Sequence, residues 1–323
     1  MILKEITEKI RNSALEIGFC ACGFSQVKEL SDDKKALLQR INKGYTAEMK
    51  YLENNLEKRA DPRLQFENAK TVISVLLSYY PQKITIPSSY HVSAYARGND
   101  YHEIINSLLA ELLIKIKEII PGVNGRTSCD SGPVFERAWA KNAGIGWIGK
   151  NTVLINPDAG SFVFIGEVII DKELVYDIPI EDQCGNCILC VDACPTNALV
   201  EPYTLDATKC ITYHTIERRA GDIPENIAEK VGNRIYACDT CQDVCPYNKS
   251  VDGLINRFFT PNKYVLWTDK EWEGLDEEKF EESFKGTAIK RLGFTGLKRN
   301  INLIKKKSLP PPEQWESSSQ LIN

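Results

Sequence analysis

The sequence of 323 residues contains no run of about 18 apolar residues, the length that crosses a bilayer. Its first twenty residues, MILKEITEKIRNSALEIGFC, interleave charges with apolar positions and so lack the uninterrupted apolar core of a signal peptide. Basic residues are not in excess, because 40 Lys and Arg stand against 44 Asp and Glu, a net charge of −4. We therefore expect a cytoplasmic protein without membrane contacts, in which any nucleic-acid binding uses a local patch.

The motif GIGWIG at residues 144–149 matches the G-x-G-x-x-G pattern of dinucleotide-binding loops. Such a loop needs a strand before it and a helix after it, so that the pyrophosphate meets a helix N-terminus. Here a helical pattern comes first and the strand-like NTVLIN follows. The sequence therefore excludes a nicotinamide or flavin site of this kind. It predicts a tight helix-to-strand turn whose glycines let a flat cofactor approach the backbone.

Eight of the eleven cysteines lie between residues 184 and 245. In a reducing cytoplasm they are not expected to form disulfides. The block CGNCILCVDACP has the spacing C-x-x-C-x-x-C-x-x-x-C-P, and the block CDTCQDVCP has two cysteines before its own C-P. The tight triple directs three thiolates to one iron–sulfur cube, and the cysteine before proline ligates the other cube. The spacing therefore predicts two [4Fe–4S] clusters of the bacterial ferredoxin type.

The second block is one ligand short, and the isolated Cys210 is the cysteine left in this stretch to supply it. The crossed pattern assigns the first cluster to Cys184, Cys187, Cys190 and Cys245, and the second to Cys194, Cys210, Cys238 and Cys241. Two zinc sites are the alternative, but zinc requires neither the triple nor the two C-P endings. The other cysteines, at positions 20, 22 and 129, are expected to be small buried hydrophobes.

Hydrophobic periodicity predicts both helices and strands before the cysteine blocks. Residues 2–18 and 101–120 have helical spacing, and TVISVLLSYY at 71–80 is typical of a buried strand. Residues 131–143 predict a helix with Pro133 in its first turn. The runs 152–155 and 162–170, separated by turn residues, predict a hairpin.

These elements indicate an α+β fold. We expect a mixed α/β domain at residues 1–180, a bacterial-ferredoxin-like domain at 181–250, a helical, basic segment at 251–307 and a disordered tail at 308–323. The basic segment has eight Lys or Arg and no acidic residue between Lys285 and Lys307. It indicates either a track for RNA phosphates or a solvated helix face.

Several long motifs follow one another along the chain: MKYLENNLEKRADPR from residue 49, SAYARGNDYH at 93–102, DSGPVFER at 130–137, GWIGKN at 146–151 and the two cysteine blocks. In these motifs and their order, over residues 1–300, the chain resembles epoxyqueuosine reductases. The resemblance implies a cobalamin-binding catalytic domain at 1–180 fused to the two-cluster domain. It also implies reduction of epoxyqueuosine to queuosine at the wobble position of the tRNA anticodon, the final step of queuosine synthesis. Two electrons would pass one at a time through the clusters to base-off cobalamin.

Removing an epoxide oxygen as water requires a reductant at carbon and a proton donor at oxygen. Asp130 is the candidate donor, because a carboxyl group in an apolar cofactor pocket has a raised pKa and stays protonated. The alternative for Asp130 is a helix N-cap. Arg137 would lie on the same helix face, two turns on, and contact cobalamin or Asp130; a surface ion pair with Glu136 is its alternative.

The resemblance further implies that Arg59 contacts cobalamin and that Leu154 and Ile165 form an apolar wall against the corrin ring. Arg97 and Tyr101, beside Tyr95 and Asp100, are candidates for substrate contact, with helix capping and packing as the alternative. Only three histidines occur and no D-x-H-x-x-G motif is present, so a histidine ligand to cobalt is not indicated.

His214, between the cysteine blocks, is a further candidate for substrate contact, with simple solvent exposure as the alternative. Many family members continue into helical repeats, whereas this sequence loses the pattern after Asn302. We expect a monomer that binds the tRNA anticodon region and receives electrons from a low-potential donor. A ferredoxin-type electron carrier and a reductive dehalogenase are the alternative functions.

Overall fold

The computed structural model describes residues 2–80, 84–249, 251 and 257–306. Its α-helices are α1 (Ile2–Ile17), α2 (Ser31–Asn42), α3 (Leu56–Ala60), α4 (Tyr101–Ile119), α5 (Glu136–Asn142), α6 (Leu189–Asp192), α7 (Glu225–Ala228), α8 (Thr240–Asp243), α9 (Asp269–Glu273), α10 (Glu277–Ser283) and α11 (Gly293–Lys305). Its strands are β1 (Ala21–Gln26), β2 (Thr71–Ser78), β3 (His91–Val92), β4 (Gly125–Ser128), β5 (Trp147–Ile148), β6 (Leu154–Ile155), β7 (Val163–Ile170), β8 (Leu199–Glu201), β9 (Thr204–Leu205) and β10 (Arg234–Tyr236). None of the described helices has the length and apolar content to cross a membrane.

A four-stranded sheet forms the centre of the N-terminal part, in the order β1-β2-β7-β4. Each neighbouring pair is antiparallel. All eight residues of β2 are buried because helices cover both faces of the sheet, as its continuous apolar run predicts. The prediction of a mixed α/β architecture is confirmed. An antiparallel sheet is also unlike the parallel sheet of a dinucleotide-binding fold.

Helices α1 and α4 cover one face of this sheet. The apolar positions of α1 at Ile10, Ala14 and Ile17 are buried and repeat with helical spacing. Helix α4 begins at the Asp100 cap and packs on β7, where a Cβ atom at Gly166 would lie 2.9 Å from the Ile105 side chain. Glycine is therefore required for this close contact, and the predicted boundaries of both helices are correct within one residue.

Helix α5 covers the opposite face. Its Trp139 is fully buried with Val72 and Ile169 of the sheet. The end of α5 lies so close to β1 that a Cβ atom at Gly23 would be 2.0 Å from the Ala143 carbonyl oxygen. This contact fixes α5, and the residues just before it, relative to the sheet.

The predicted hairpin of residues 152–155 with 162–170 is wrong. Strand β6 pairs with β5 instead, and β7 pairs with β2 and β4 in the central sheet. The turn between β6 and β7 retains only an isolated bridge between Asn156 and Gly160. The apolar runs were identified correctly, but their hydrogen-bond partners are distant in sequence.

A second hydrophobic core joins the cysteine-rich region to the C-terminal helices. It contains Trp272, Phe284 and Leu297 with Tyr236. Strand β3, from the N-terminal part, pairs in parallel with β10, and Tyr90 and Ala96 belong to this second core. The chain around residues 90–96 therefore packs with the later part of the protein, although the predicted boundary at residue 180 assigns it to the first domain. The predicted tail at 308–323 lies outside the described residues.

Candidate active site

Asp130 lies in the loop that follows β4, at the edge of the central sheet. Its φ is +53°, in the left-handed region that non-glycine residues rarely adopt. Its backbone N–H donates a hydrogen bond to the Glu136 carboxyl group. The Tyr101 hydroxyl donates to Asp130 Oδ2 at 3.0 Å, and the Tyr101 ring stacks on Phe164 with centroids 4.5 Å apart. Helix α4 thus orients the Asp130 carboxylate, while Glu136 at the start of α5 holds its backbone.

His102 bridges two carboxyl groups at the start of α4. Its Nε2 atom lies 2.9 Å from Asp130 Oδ2, and its Nδ1 atom lies 2.7 Å from Asp100 Oδ1. Asp100 also caps the helix by accepting from the His102 backbone N–H at 3.0 Å. The hydrogen bonds to Asp100 and then Asp130 raise the pKa of His102 to about 9. The ring is therefore protonated at neutral pH and donates to both carboxylates.

The prediction of a raised Asp130 pKa is wrong. The hydrogen bond from His102 lowers the pKa of Asp130, and this outweighs the effect of burial. The resting proton thus lies on His102, and Asp130 is its immediate acceptor. Asp130 is therefore half of a hydrogen-bonded pair with a protonated histidine rather than an isolated carboxyl group.

Helix α5 begins at Glu136, five residues later than predicted. Asp130 is consequently neither an N-cap nor on the same helix face as Arg137, and both of these predictions are wrong. The residues between them form tight turns, with Ser131 N–H donating to Cys129 O and Val134 N–H to Gly132 O. Pro133 was predicted in the first turn of the helix, but it lies in this loop because the chain forms these turns before α5 begins.

Arg137 and Arg40 form a pair of guanidinium groups without a carboxylate partner among the described residues. Arg137 donates to the Thr152 carbonyl oxygen, and the Nε of Arg40 is buried without a hydrogen bond. Burial, followed by the charge of Arg137, lowers the pKa of Arg40. The predicted ion pair of Arg137 with Glu136 does not form. Two cations with spare donors are suited to bind an acceptor-rich or anionic group.

Leu154 and Ile165 lie in one small apolar cluster with Leu76, Ala140 and Ile145. Leu154 is 2% exposed, whereas Ile165 and the neighbouring Val163 are only partly buried. The two side chains come from different strand pairs, not from one hairpin. The partly buried Val163 and Ile165 form the open, apolar side of this cluster, and Arg137 contacts Thr152, two residues before Leu154.

Arg59 is engaged within its own segment. It donates to the carbonyl oxygens of Tyr51 at 3.2 Å and Asn54 at 3.3 Å. These bonds close the turn before α3. Contact with cobalamin stays a prediction for Arg59.

The cysteines assigned to the first cluster lie together. Burial, followed by the neighbouring thiols of Cys184, Cys245 and Cys187, raises the pKa of Cys190 to about 11. Cys184 and Cys245 also pack against Trp147 and Ile155 of the β5–β6 hairpin.

Three cysteines of the second set, Cys210, Cys238 and Cys241, are also neighbours. Burial and then Cys210 and Cys238 raise the pKa of Cys241. The Cys194 sulfur accepts from the Ala198 N–H at 3.2 Å. Within the described residues no three His, Cys, Asp or Glu side chains converge on a single metal-ion position. Each of the four thiolates of a cubane cluster ligates a different iron, so these thiolates lie farther apart than the ligands of a single metal ion.

The segment 149–152, in the turn between β5 and β6, touches both cysteine blocks. Lys150 Nζ donates to Gly185 O at 2.6 Å, and Asn151 Nδ2 donates to Cys241 O at 3.3 Å. Thr152, next along the chain, accepts from Arg137. The β5–β6 hairpin therefore lies between the cysteine blocks and the arginine pair.

Comparison with known proteins agrees with this arrangement. A family model described as 4Fe-4S double cluster binding domain matches residues 183–248, and one described as epoxyqueuosine reductase QueG matches residues 59–131. The epoxyqueuosine reductase of Cellulophaga algicola is 42% identical over 300 residues, which cover 93% of this chain and 98% of that protein. The chain belongs to the epoxyqueuosine reductase family. It is an oxidoreductase, and the double-cluster match confirms [4Fe–4S] clusters over zinc.

Solved epoxyqueuosine reductases have the same fold. One, with an epoxyqueuosine-modified tRNA-Tyr stem loop, has a TM-score of 0.83 and 30% identity, covering 93% of this chain and 80% of that chain. Another, from Bacillus subtilis with an aspartate catalytic loop swung out of the active site, has a TM-score of 0.86 and 31% identity. The latter match covers 93% of this chain and 81% of that chain.

Two residues predicted to contact the substrate of this family member are engaged elsewhere. Arg97 donates to the Val92 carbonyl oxygen at 2.9 Å and lies near Asp239 and Asp243 rather than Asp130. His214 is 2% exposed, and its Nε2 atom is 2.7 Å from the Thr208 carbonyl oxygen. Each side chain satisfies a backbone carbonyl of the interior, and substrate contact stays a prediction for Arg97 and His214. Simple exposure of His214 is wrong.

Fewer Lys and Arg side chains of the basic segment are available to bind a ligand than its composition predicts. Arg299 donates to the carbonyl oxygens of His214, Arg218 and Gly221, and Lys298 donates to those of Glu273 and Leu275. These cations anchor α11 to the second core. Lys307 lies outside the described residues. Lys298 and Arg299 therefore use their donors within the protein, and contact of the remaining basic residues with RNA phosphates stays a prediction.

Sequence reasoning missed His102, Tyr51 and Arg291 as residues of the site. Arg291 forms an ion pair with Glu217, and its charge acts on Tyr51 and Asp130. Tyr51 is 46% exposed. The signal for His102 was present in Asp100-Tyr101-His102, where a helix cap precedes a histidine. Arg291 had no signal beyond its position in a basic run.

Proposed function

We propose that this chain reduces epoxyqueuosine to queuosine at the wobble position of a tRNA anticodon. Two [4Fe–4S] clusters serve as the electron relay, and base-off cobalamin serves as the reductant. The observation that carries the proposal is the hydrogen-bonded chain Asp100–His102–Asp130, which ends beside an arginine pair connected to both cysteine blocks. A proton source and an electron path meet there, as reductive removal of an oxygen requires.

The residues present suit a corrinoid. Arg40 has a buried Nε without an acceptor, and Arg137 has donors beyond its bond to Thr152. The amide side chains and phosphodiester of cobalamin are acceptors for such groups. Val163 and Ile165 offer a partly open apolar surface to a corrin ring. When bound, the cofactor supplies low-valent cobalt as the reductant for the epoxide carbon.

The net reaction consumes two electrons and two protons and releases the epoxide oxygen as water, leaving a carbon–carbon double bond. His102 stores one proton at neutral pH, and Asp130 passes it to the departing oxygen. Asp100 keeps the ring oriented and protonated. After each transfer the ring takes up a proton from solvent, because its side chain is 24% exposed.

Tyr51 and Arg291 form the rim of the proposed nucleoside site. An exposed tyrosine provides a stacking surface for an unpaired base, and the guanidinium can contact a phosphate or base edge. The relative with an epoxyqueuosine-modified stem loop supports the assignment of the tRNA anticodon as partner. The loop of Asp130 is proposed to correspond to the catalytic aspartate loop of the Bacillus subtilis relative.

We further propose the division of labour that the sequence predicts. Residues 1–180 hold cobalamin and the acid, residues 181–250 hold the clusters, and residues 251–307 complete the core and the substrate rim. The protein acts as a cytoplasmic monomer and receives electrons from a low-potential donor.

The test is anaerobic reconstitution with iron, sulfide and cobalamin, followed by desalting, an absorption spectrum and turnover of an epoxyqueuosine-modified stem loop. Retained corrinoid bands with about eight irons per chain are expected. The matched control is Asp130→Asn, which should keep iron and corrinoid but lower the single-turnover rate by about 10²-fold to 10⁴-fold. Full iron without corrinoid would leave only an electron carrier. Corrinoid retention without stem-loop turnover would favour a different reducible substrate.

A further inference from the structure

A row of buried polar side chains crosses the central sheet beneath the Asp130 loop. Glu167 on β7 lies opposite Ser74 of β2 and Ser128 of β4 in the strand register. Glu167 is 0% exposed, and the two serines are at most 5% exposed. Within the described part of the chain, no N–H or serine O–H group donates to either carboxyl oxygen of Glu167. An isolated ionised carboxylate in such surroundings is strongly unfavourable.

The partner of Glu167 is the carboxyl group of Glu136, at the start of α5. The two carboxyl groups are within hydrogen-bond reach of each other. Burial and then Glu136 raise the pKa of Glu167, and burial raises the pKa of Glu136 to about 7. Two touching carboxyl groups cannot both ionise in a region of low polarity, so the pair shares a proton.

Glu136 is also the group that holds Asp130. One of its oxygens accepts the Asp130 backbone N–H, and Asp130 has the left-handed φ of +53°. That conformation is unfavourable for a residue with a side chain, so it needs a compensating bond. The carboxyl group of Glu136 can keep this position only if its other oxygen is also satisfied.

We propose that Glu167 is a buried carboxylic acid that donates its proton to Glu136, and that Glu136 thereby positions the Asp130 loop. This inference rests on the proposed function, in which Asp130 transfers the proton. Both glutamates are positioning residues, since neither touches the substrate site directly. The titratable and charged groups that face the pair are Asp130 and Cys129 from the loop, Arg137 on α5 and Tyr101 on α4.

Two matched substitutions distinguish the hydrogen bond that Glu167 donates from the space that its side chain fills. Glu167→Gln keeps a donor for Glu136 through its amide N–H, whereas Glu167→Leu has a similar shape and no donor. In the reconstituted holoenzyme we expect Glu167→Leu to lower the single-turnover rate by about 10-fold to 100-fold, with little change in KM for the stem loop. Glu167→Gln should restore the wild-type rate. Leucine fills a similar volume but leaves one Glu136 oxygen without a donor, so the difference between the two variants reports the missing hydrogen bond.

Two readouts do not depend on the reaction. Backbone hydrogen exchange, measured by mass spectrometry on the holoenzyme without tRNA, should accelerate across residues 129–135 in Glu167→Leu and not in Glu167→Gln. The infrared carbonyl stretch of a protonated carboxylic acid should be present in the wild type and lost in both variants. Unchanged exchange in Glu167→Leu, or equal exchange in the two variants, would overturn the inference. A holoenzyme inactive on the stem loop would instead refute the proposed function, while exchange would still decide how the loop is held.

Discussion

His102 and Asp130, 28 residues apart in the sequence, are joined by a hydrogen bond of 2.9 Å between Nε2 and Oδ2. The opposite ring nitrogen is held by Asp100 at 2.7 Å. In the proposed mechanism, the proton for the reaction therefore belongs to a chain of three side chains. Four consequences of this and the surrounding structure can be measured.

The substitution Asp100→Asn should shift the pH dependence of the single-turnover rate. The wild-type His102 has a pKa of about 9, and its hydrogen bond to Asp100 is the largest cause of this increase from 6.5. The required imidazolium is thus present below that value and lost as the pH rises through it. In Asp100→Asn the alkaline decline should move towards the ordinary histidine value of about 6.5. An unchanged alkaline decline would show that another group supplies the proton.

Cys210→Ser should remove one cluster and leave the other. The spacing and the grouping of the thiols assign Cys210 to the set of Cys238 and Cys241. The iron content after reconstitution should fall from about eight to about four per chain. Cys20→Ser is the control, because Cys20 lies away from both sets, and its thiol donates to the Leu76 carbonyl oxygen. Full iron content in Cys210→Ser would refute this ligand assignment.

Arg40→Met should weaken cobalamin retention without loss of iron. Among the described residues, the Nε of Arg40 has no acceptor, and its guanidinium lies near that of Arg137, so its removal relieves repulsion in the apoprotein. We expect the Kd for cobalamin, measured by absorbance titration, to rise about 10-fold, equivalent to loss of one charge-assisted hydrogen bond. Arg59→Met is the comparison that tests the role implied by resemblance. A larger effect at Arg59 would favour that role over the arginine pair.

Arg299→Ala should destabilise the fold, whereas Lys306→Ala should not. Arg299 satisfies carbonyl oxygens of three residues at 2.8–3.1 Å, and loss of these bonds should lower the free energy of unfolding by about 2 to 3 kcal/mol. Lys306, exposed after the end of α11, should change it by less than about 0.5 kcal/mol. Denaturant titration of the reconstituted protein measures both. Equal stability of the two variants would show that the hydrogen bonds of Arg299 contribute nothing to folding, and its guanidinium would again be a candidate for RNA binding.

Local patterns in the sequence were sufficient to predict the helices and strands whose signal comes from residues close together in the chain. The helices α1 and α4 and the strand β2 were predicted correctly because their apolar periodicity is itself the signal for burial on one side or both. The cysteine spacing was equally decisive, since a tight loop alone brings three thiolates to one cluster. The antiparallel order of the sheet was not accessible in this way. Strand β7 looked like the partner of residues 152–155, but its true partners lie 39 to 99 residues earlier in the chain, from Ser128↔Glu167 to Thr71↔Ile170.

The protonation of the site shows the same limit. From the sequence, Asp130 was a carboxyl group in an apolar pocket, for which burial predicts a raised pKa. The fold places His102 and Tyr101 against it, and their hydrogen bonds reverse the direction of the shift. The charge of Arg299 was likewise evident from the sequence, but only packing of α11 against residues 214–221 directs it inward.

The sequence by itself determined the cluster chemistry, the main helices and the family, because these depend on residue types at short, fixed spacing. Only the tertiary structure decided where the proton resides, which arginines lack partners and which carboxyl groups share a proton. Those properties arise from contacts between segments far apart in the chain. A pKa depends on the charges, donors and solvent within a few ångströms, and the fold alone specifies those neighbours.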